Sequence, residues 1–161
     1  MISAVIRPIQ LSDNNYLARI IRNSLEEFGA NHPGTVYYDE STDHLYELFR
    51  QNGSAYFVAE FEGRVAGGAG IYPTNGLPAG MAELVKMYLL PSARGKRIGQ
   101  TLINRCLAWA REQGYKSIYL ETMPELQKAV NVYEKFGFRY LDAPLGNTGH
   151  PGCKIWMMLD C

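Results

Sequence analysis

A mixed α/β fold, with helices on both faces of a six- to seven-stranded, mostly antiparallel sheet, is what this sequence predicts. Three observations predict it. The middle of the chain alternates as a hairpin meander, with two strands joined by the tight turn Glu62-Gly63. The second half alternates strand and helix in the manner of βαβ units. The two strongest helical patterns, 97–113 and 124–136, each stop at a glycine, Gly114 and Gly137. The 161 residues fit one domain, 1–161, without internal repeat or composition break.

The elements follow in order. Ser3 to Ile9 reads as a first strand. Leu17, Ile20, Ile21, Leu25 and Phe28 recur at helical spacing, with Ser12 or Asp13 as cap. Gly29 to Gly34 is a loop. Asp43 to Arg50 reads as a second helix, with Leu45, Leu48 and Phe49 on one side. Ala55 to Phe61 and Arg64 to Tyr72 form the hairpin. Gly67, Gly68 and Gly70 predict a bulge or a close backbone approach in its second strand. Met81 to Leu90 is a fourth strand, ended by Pro91. Arg97 to Gln113 is a helix with Ile98, Leu102, Cys106, Trp109 and Ala110 in one stripe. Lys116 to Glu121 is a strand. Pro124 to Phe136 is a helix, with Thr122 and Glu125 spaced as a capping box. Phe138 to Leu141 and Lys154 to Leu159 complete the sheet.

Composition narrows the function. Formal net charge is zero, which argues against a protein built to grip nucleic acid. No apolar run approaches the ~20 residues of a membrane span. Arg7 and Pro8 interrupt the N-terminus too early for a signal peptide. The three cysteines, Cys106, Cys153 and Cys161, form no disulfide framework, so a reducing cytoplasm is the expected location. His150 and Cys153 are spaced like half a metal site, but no second pair accompanies them and no metal is expected.

The chemistry concentrates after the fourth strand. There Arg94-Gly95-Lys96-Arg97-Ile98-Gly99-Gln100 leads straight into a helix. Glycines allow close backbone approach, and the first helical turn offers unpaired N–H groups at a positive dipole end. Arg94, Lys96 and Arg97 add mobile positive charge at the rim. The loop lacks the Gly-Lys-Ser/Thr of a Walker loop and the third glycine of a dinucleotide site. It suits a pyrophosphate held without metal, although an ordinary turn with solvated charges has the same pattern.

A second pattern follows in the next helix: Ala129, Tyr133, Gly137 and Phe138. With the loop, it resembles the GNAT family of N-acetyltransferases, which carries Arg/Gln-x-x-Gly-x-Gly/Ala and then Ala-x-x-x-Tyr-x-x-x-Gly-Phe. The hairpin Phe57-Val58-Ala59-Glu60 to Gly67-Gly68 and the opening Ile6-Arg7-Pro8 are similar to the family as well. There are two departures: Arg97 stands where glycine is usual, and Leu126 stands where asparagine is common.

The resemblance implies a GNAT fold and acetyl-CoA as acyl donor. Main-chain groups of Met87 and Leu89, flanking Tyr88, would pair with the pantetheine amides. The N–H groups of residues 95–100 would hold the pyrophosphate. Tyr133 would lie near the thioester sulfur, and Ala129 is a further cofactor-binding position; Lys135 is either an ordinary solvated helix charge beside Glu134 or a residue that also reaches a CoA phosphate.

Tyr133 is then the candidate acid for the departing thiolate, whereas periodicity alone makes it a core tyrosine beside Val130 and Phe136. Glu83 is the candidate base. Period two places Glu83, Val85, Met87 and Leu89 on one face, so burial among apolar side chains would raise the acid's pKa. Glu121 competes for that role, a reaction with no dedicated base is the third reading, and the structural alternative for Glu83 is an edge acid paired with Lys86 or a neighbour. The expected acceptor is a small-molecule amine, with Tyr37, Tyr38 and Tyr46 as candidate lining. A protein N-terminus or lysine would instead need an open groove beside the Gly29–Tyr38 and Ala143–Gly152 loops. A CoA-binding sensor without turnover is the reading from another class. The sequence leaves the oligomeric state open, and a homodimer is compatible with it.

Overall fold

The computed structural model describes residues 4–161. Its strands are β1 (Val5–Pro8), β2 (Ala55–Phe61), β3 (Arg64–Tyr72), β4 (Met81–Leu89), β5 (Ser117–Thr122), β6 (Arg139–Tyr140) and β7 (Ile155–Asp160). Its α-helices are α1 (Asn14–Glu27), α2 (Leu45–Leu48), α3 (Ile98–Glu112) and α4 (Gln127–Phe136). The strands form one sheet in the order β1-β2-β3-β4-β5-β7-β6. Every neighbouring pair is antiparallel except β4 and β5.

Each face of the sheet carries its own apolar cluster. Leu102, Ile103 and Cys106 of α3 pack with Phe57, Ile71 and Leu84 on one face, joined by Tyr133 of α4. Leu17, Ile21 and Leu25 of α1 pack with Leu45 and Val58 on the other. Burying each such side chain contributes roughly 1.5–3 kcal/mol, so the alternation along β2 and β4 fixes which way the sheet faces.

Several local expectations are corrected. The first strand is shorter than Ser3 to Ile9, and Ser3 itself lies outside the described residues. Asp13 stands at the N-cap of α1 but gives that helix no side-chain bond. Its carboxylate instead accepts from the Gln10 N–H at 2.7 Å and from Arg7 at 2.8 and 2.9 Å. Within 43–50 only Leu45–Leu48 is α-helical, because the preceding residues tighten into a 3₁₀ turn, Glu40–Asp43. The Thr122–Glu125 capping box does not form. Glu125 points to His32, 3.2 Å away, and a 3₁₀ turn at Pro124–Leu126 starts the helix.

The bulge expected from the glycines has its extra residue in β4. Gly70 pairs with Val85 and Gly68 with Tyr88, so Lys86 and Met87 together oppose Ala69. Lys86 takes φ 55°, left-handed for a non-glycine residue. The glycines make room for a tyrosine. A Cβ on Gly68 would lie 2.4 Å from the Tyr56 ring, and one on Gly70 2.7 Å. Over these glycines Tyr56 reaches across β3 and donates its hydroxyl to the Lys86 carbonyl at 2.8 Å.

The bulge overturns the predicted face of β4. Beyond it the alternation shifts by one. Met87 and Leu89 join Ala82 and Leu84 on the α3 face, while Val85 and Tyr88 pack against the α1 cluster. Glu83 is two residues from Val85 and so faces the α1 side, apart from Met87 and Leu89.

Candidate active site

The parallel pairing of β4 with β5 runs only from Met81↔Ser117 to Glu83↔Tyr119. The two strands then part, and a cleft of about 610 Å³ opens between them. Beyond Glu83 the β4 main chain has no strand partner on the β5 side. Such an edge offers N–H and C=O groups to an extended, amide-bearing chain. Met87, Tyr88 and Leu89 line it. The Leu89 carbonyl already accepts from Arg94 Nε at 3.2 Å.

At one end the strand turns into α3. Arg97 is the N-cap residue, at φ 64° and ψ 12°. This left-handed turn favours glycine, and arginine holds it at a conformational cost. No side chain caps the helix. Its first bond runs from the Thr101 N–H to the Arg97 carbonyl at 3.1 Å. The N–H groups of Ile98, Gly99 and Gln100 are therefore those every helix start leaves open. A Cβ on Gly95 would meet nothing within 4 Å. Open donors, a dipole end and free space together fit a pyrophosphate.

The basic residues separate. Gly95, Arg97, Ile98, Gly99 and Gln100 line the cleft, as does Arg94. Arg94 is fixed, which corrects its reading as mobile charge. It bonds Glu27 at 2.7 Å and Ser24 Oγ at 3.3 Å, and its guanidinium lies 4.9 Å from the Phe28 ring centre. Lys96 lies over Phe61, its Nζ 5.9 Å from the ring centre. Neither Lys96 nor Lys135 belongs to the lining, whereas Lys128 does.

The other end holds the titratable groups. Glu83 is 4% exposed. Its neighbours across the ladder are Tyr72 and Tyr119. Burial pushes its carboxyl up to about 7, against a bond from Thr74 that pulls it down; the Glu121 charge adds to the rise, while His150 and Lys86 oppose it. Thr74 Oγ1 donates to Glu83 Oε1 at 2.6 Å. Glu121 lies farther along β5, with both oxygens engaged by Thr148 at 2.5 Å and Tyr119 at 2.6 Å.

Tyr133 comes from α4 and lines the cleft with Ala129. Burial raises its phenol pKa. Its ring stands edge-on to Phe138, 5.8 Å between centres. No fully buried side-chain oxygen or nitrogen among the described residues lacks a partner. Tyr133 makes no hydrogen bond there, so its hydroxyl meets the open cleft.

Three loops close over this end. Asp39 Oδ2 lies 2.6 Å from His150 Nε2 and 3.7 Å from Lys86 Nζ. The Gly152 N–H donates to the Gly34 carbonyl at 2.9 Å. Asp39, Thr74 and the buried Lys86 were missed as site residues. One signal was available: Lys86 is a single charge within the run Leu84–Leu89, which is otherwise apolar on both faces. The expected tyrosines lie elsewhere. Tyr37 donates to Glu26 at 2.5 Å, Tyr38 is exposed, and Tyr46 lies under Arg50. None of the three lines the cleft, but Val36 does. Among the described residues no three His, Cys, Asp or Glu side chains gather to hold a metal.

A sheet that splays beside a glycine-bearing helix start suits a slender ligand that carries a pyrophosphate. The pattern of the acetyltransferase (GNAT) family matches residues 18–138. An uncharacterized N-acetyltransferase of Escherichia coli (strain K12), YjgM, is 42% identical over 157 residues, covering 97% of this chain and 94% of its own length. A GNAT-family acetyltransferase of Staphylococcus aureus Mu50 superposes with a TM-score of 0.86 at 20% identity, over 98% of this chain and 99% of that one. The PaiA N-acetyltransferase of Thermoplasma acidophilum, solved with coenzyme A, superposes at 0.77 and 20% identity over 99% of both chains. The chain belongs to the GNAT family. It is an acetyltransferase, and acetyl-CoA is its acyl donor.

Proposed function

We propose that this enzyme, as one domain over residues 1–161, acetylates a primary amine of a small molecule by direct attack. The observation that carries the reading is the strapped acceptor end. The loop after α1 and the loop before β7 bond each other through Gly34–Gly152 and Asp39–His150. A polypeptide acceptor needs an open groove between those loops, whereas a small amine needs only a pocket.

The residues divide by role. The main chain of Met87 and Leu89 holds the pantetheine arm along the unpaired β4 edge, with Tyr88 between them. The N–H groups from Gly95 to Gln100 hold the pyrophosphate, with Arg97 and the anchored Arg94 beside it. Ala129 leaves space for the arm next to Tyr133. Lys96 and Lys135, outside the cleft lining, act only on the outer phosphate of the nucleotide.

Bound acetyl-CoA supplies the thioester carbonyl that the amine attacks. An alkyl amine near pKa ~10 arrives protonated. Glu83, with a pKa of about 7, is partly ionised at neutral pH and takes the proton. Glu121 is less suited to that task, because both its oxygens are occupied. Tyr133 Oη gives a proton to the departing sulfur as the C–S bond breaks, and the phenol is restored by the second proton that the attacking nitrogen loses on becoming an amide. Its phenol has no competing partner, and burial keeps it protonated until that moment.

The test is thiol release from acetyl-CoA across a panel of amines, amino acids and peptides. Turnover on small amines with none on peptides supports the reading. Preference for peptides overturns it, as does CoA-dependent thermal stabilisation with no turnover anywhere. Replacing both Arg94 and Arg97 by alanine raises the acetyl-CoA KM; an unchanged KM removes the loop from the phosphate site.

A further inference from the structure

Two groups at the acceptor end of the cleft have unused bonding capacity, and they carry opposite charge. Glu83 accepts one bond, from Thr74 to Oε1. Its second oxygen has no partner. Lys86 is 8% exposed, lines the cleft, and makes no hydrogen bond. The one carboxylate within 4 Å of it is Asp39, at 3.7 Å, longer than an ordinary hydrogen bond; burial lowers the Lys86 pKa, while the Asp39 and Glu83 charges oppose that. No fully buried polar side-chain atom among the described residues lacks a partner, so neither the free Glu83 oxygen nor Lys86 Nζ is sealed from solvent, and both residues line the cleft.

The other charges at this end are already satisfied. Asp39 is bonded by His150 at 2.6 Å. Glu121 accepts from Thr148 and Tyr119. What remains for a ligand is one acceptor on Glu83 and the ammonium donors on Lys86. Sequence spacing alone would set these residues on opposite faces, because they are three apart in a strand. The bulge removes that separation. Lys86 meets Asp39 of the loop packed on the α1 side, which is also the side Glu83 faces.

We propose that the acceptor is an amino acid or a close relative, an amine with a carboxylate one or two carbons away, and that Lys86 selects it by binding the carboxylate. The amine is presented to Glu83 while the carboxylate supplies the hydrogen-bonding partner Lys86 lacks. A buried ammonium recognises an anion strongly, since neither group then competes with bulk water. A plain alkyl amine leaves Lys86 in its unbonded state and gains nothing from it. His150, through Asp39, is a positioning residue that keeps the loop and Lys86 in register.

This inference rests on the reading of the cleft as a small-amine site, and the two fail differently. The experiment compares kcat/KM for a series of amino acids, their carboxamides and the decarboxylated amines, in the wild type, Lys86→Met and Lys86→Gln. Thermal unfolding checks that the variants fold. The wild type is expected to favour the acids over their amides roughly ten- to hundredfold, the worth of one hydrogen bond to a charged group. Both variants bring that ratio close to unity, chiefly through the acceptor KM. Equal use of acids, amides and amines by the wild type overturns the carboxylate assignment while leaving the small-amine reading intact. A ratio unchanged in both variants overturns Lys86 as its determinant. No turnover on any member of the series defeats the small-amine reading first.

Discussion

Replacing Glu83 by glutamine separates the acid's ionisation from its shape. The amide keeps an oxygen for the Thr74 hydroxyl but cannot ionise. On folding the Glu83 carboxyl moves from 4.5 to about 7. A raised carboxyl pKa favours the protonated form in the folded state. Its contribution to stability is fully present below pH 4.5 and lost as pH rises through about 7. Above pH 7 the native protein therefore carries a buried ionised acid, at a cost of about 3 kcal/mol relative to a neutral side chain of the same size. Urea unfolding of both proteins at pH 5 and pH 8.5, at one ionic strength, measures it. The variant should gain about 2–3 kcal/mol on the wild type between the two pH values. Groups common to both proteins largely cancel in the difference. The wild type should show a rise in kcat/KM through pH 7, and the same substitution should abolish that component of it. A stability difference that does not change with pH would mean that Glu83 ionises as in water, and its fitness as a base near neutrality would go with it.

Other predictions are simpler. Tyr133→Phe should lower kcat roughly a hundredfold or more while leaving the acetyl-CoA KM and the unfolding temperature nearly unchanged, because the hydroxyl has no protein partner to lose; steady-state kinetics and calorimetry test both halves, and an unchanged kcat with chemistry rate-limiting removes the acid role. Arg97→Gly should stabilise the fold by about 1 kcal/mol by relieving the left-handed arginine at φ 64°, and a lower melting temperature would contradict this. Gly68→Ala should destabilise by about 1–3 kcal/mol, since its Cβ would sit 2.4 Å from the Tyr56 ring; denaturant titration measures the loss, and a neutral substitution would refute the packing role of that glycine.

The parts of the fold written in local pattern were legible. The β2–β3 hairpin, its turn at Glu62-Gly63, and the stops of α3 and α4 come directly from alternation and glycine placement. The unread parts depend on distant partners. Asp13 has the chemistry of a cap, but Arg7 claims its side chain. Glu125 has capping-box spacing, but His32 draws it away. Lys86 carries no local mark of a left-handed conformation, so the bulge was visible only through its shadow, the glycines of β3. That one residue moved Glu83 off the face of Met87 and Leu89. The glycine-bearing loop and helix start at one end of the cleft were legible because they are contiguous in sequence. The cluster at the other end was not, because Asp39, Thr74, Lys86 and His150 meet only in three dimensions.

The parting of β4 from β5 has a consequence for how the free protein behaves. A sheet edge normally lies on the outside, where another chain can pair with it and seed aggregation. Here the unpaired stretch lies inside the sheet, between two of its own strands. A neighbouring molecule would have to thread the cleft to reach it, while a slender cofactor arm only has to slide in. In the proposed binding mode the acyl donor doubles as a removable strand. At about a hundredfold excess over its Kd, such a ligand adds about 3 kcal/mol to the folded state. Amide exchange along 85–89 should slow when it binds, so the cell's supply of acetyl-CoA would govern the rigidity of this sheet along with the rate of its reaction.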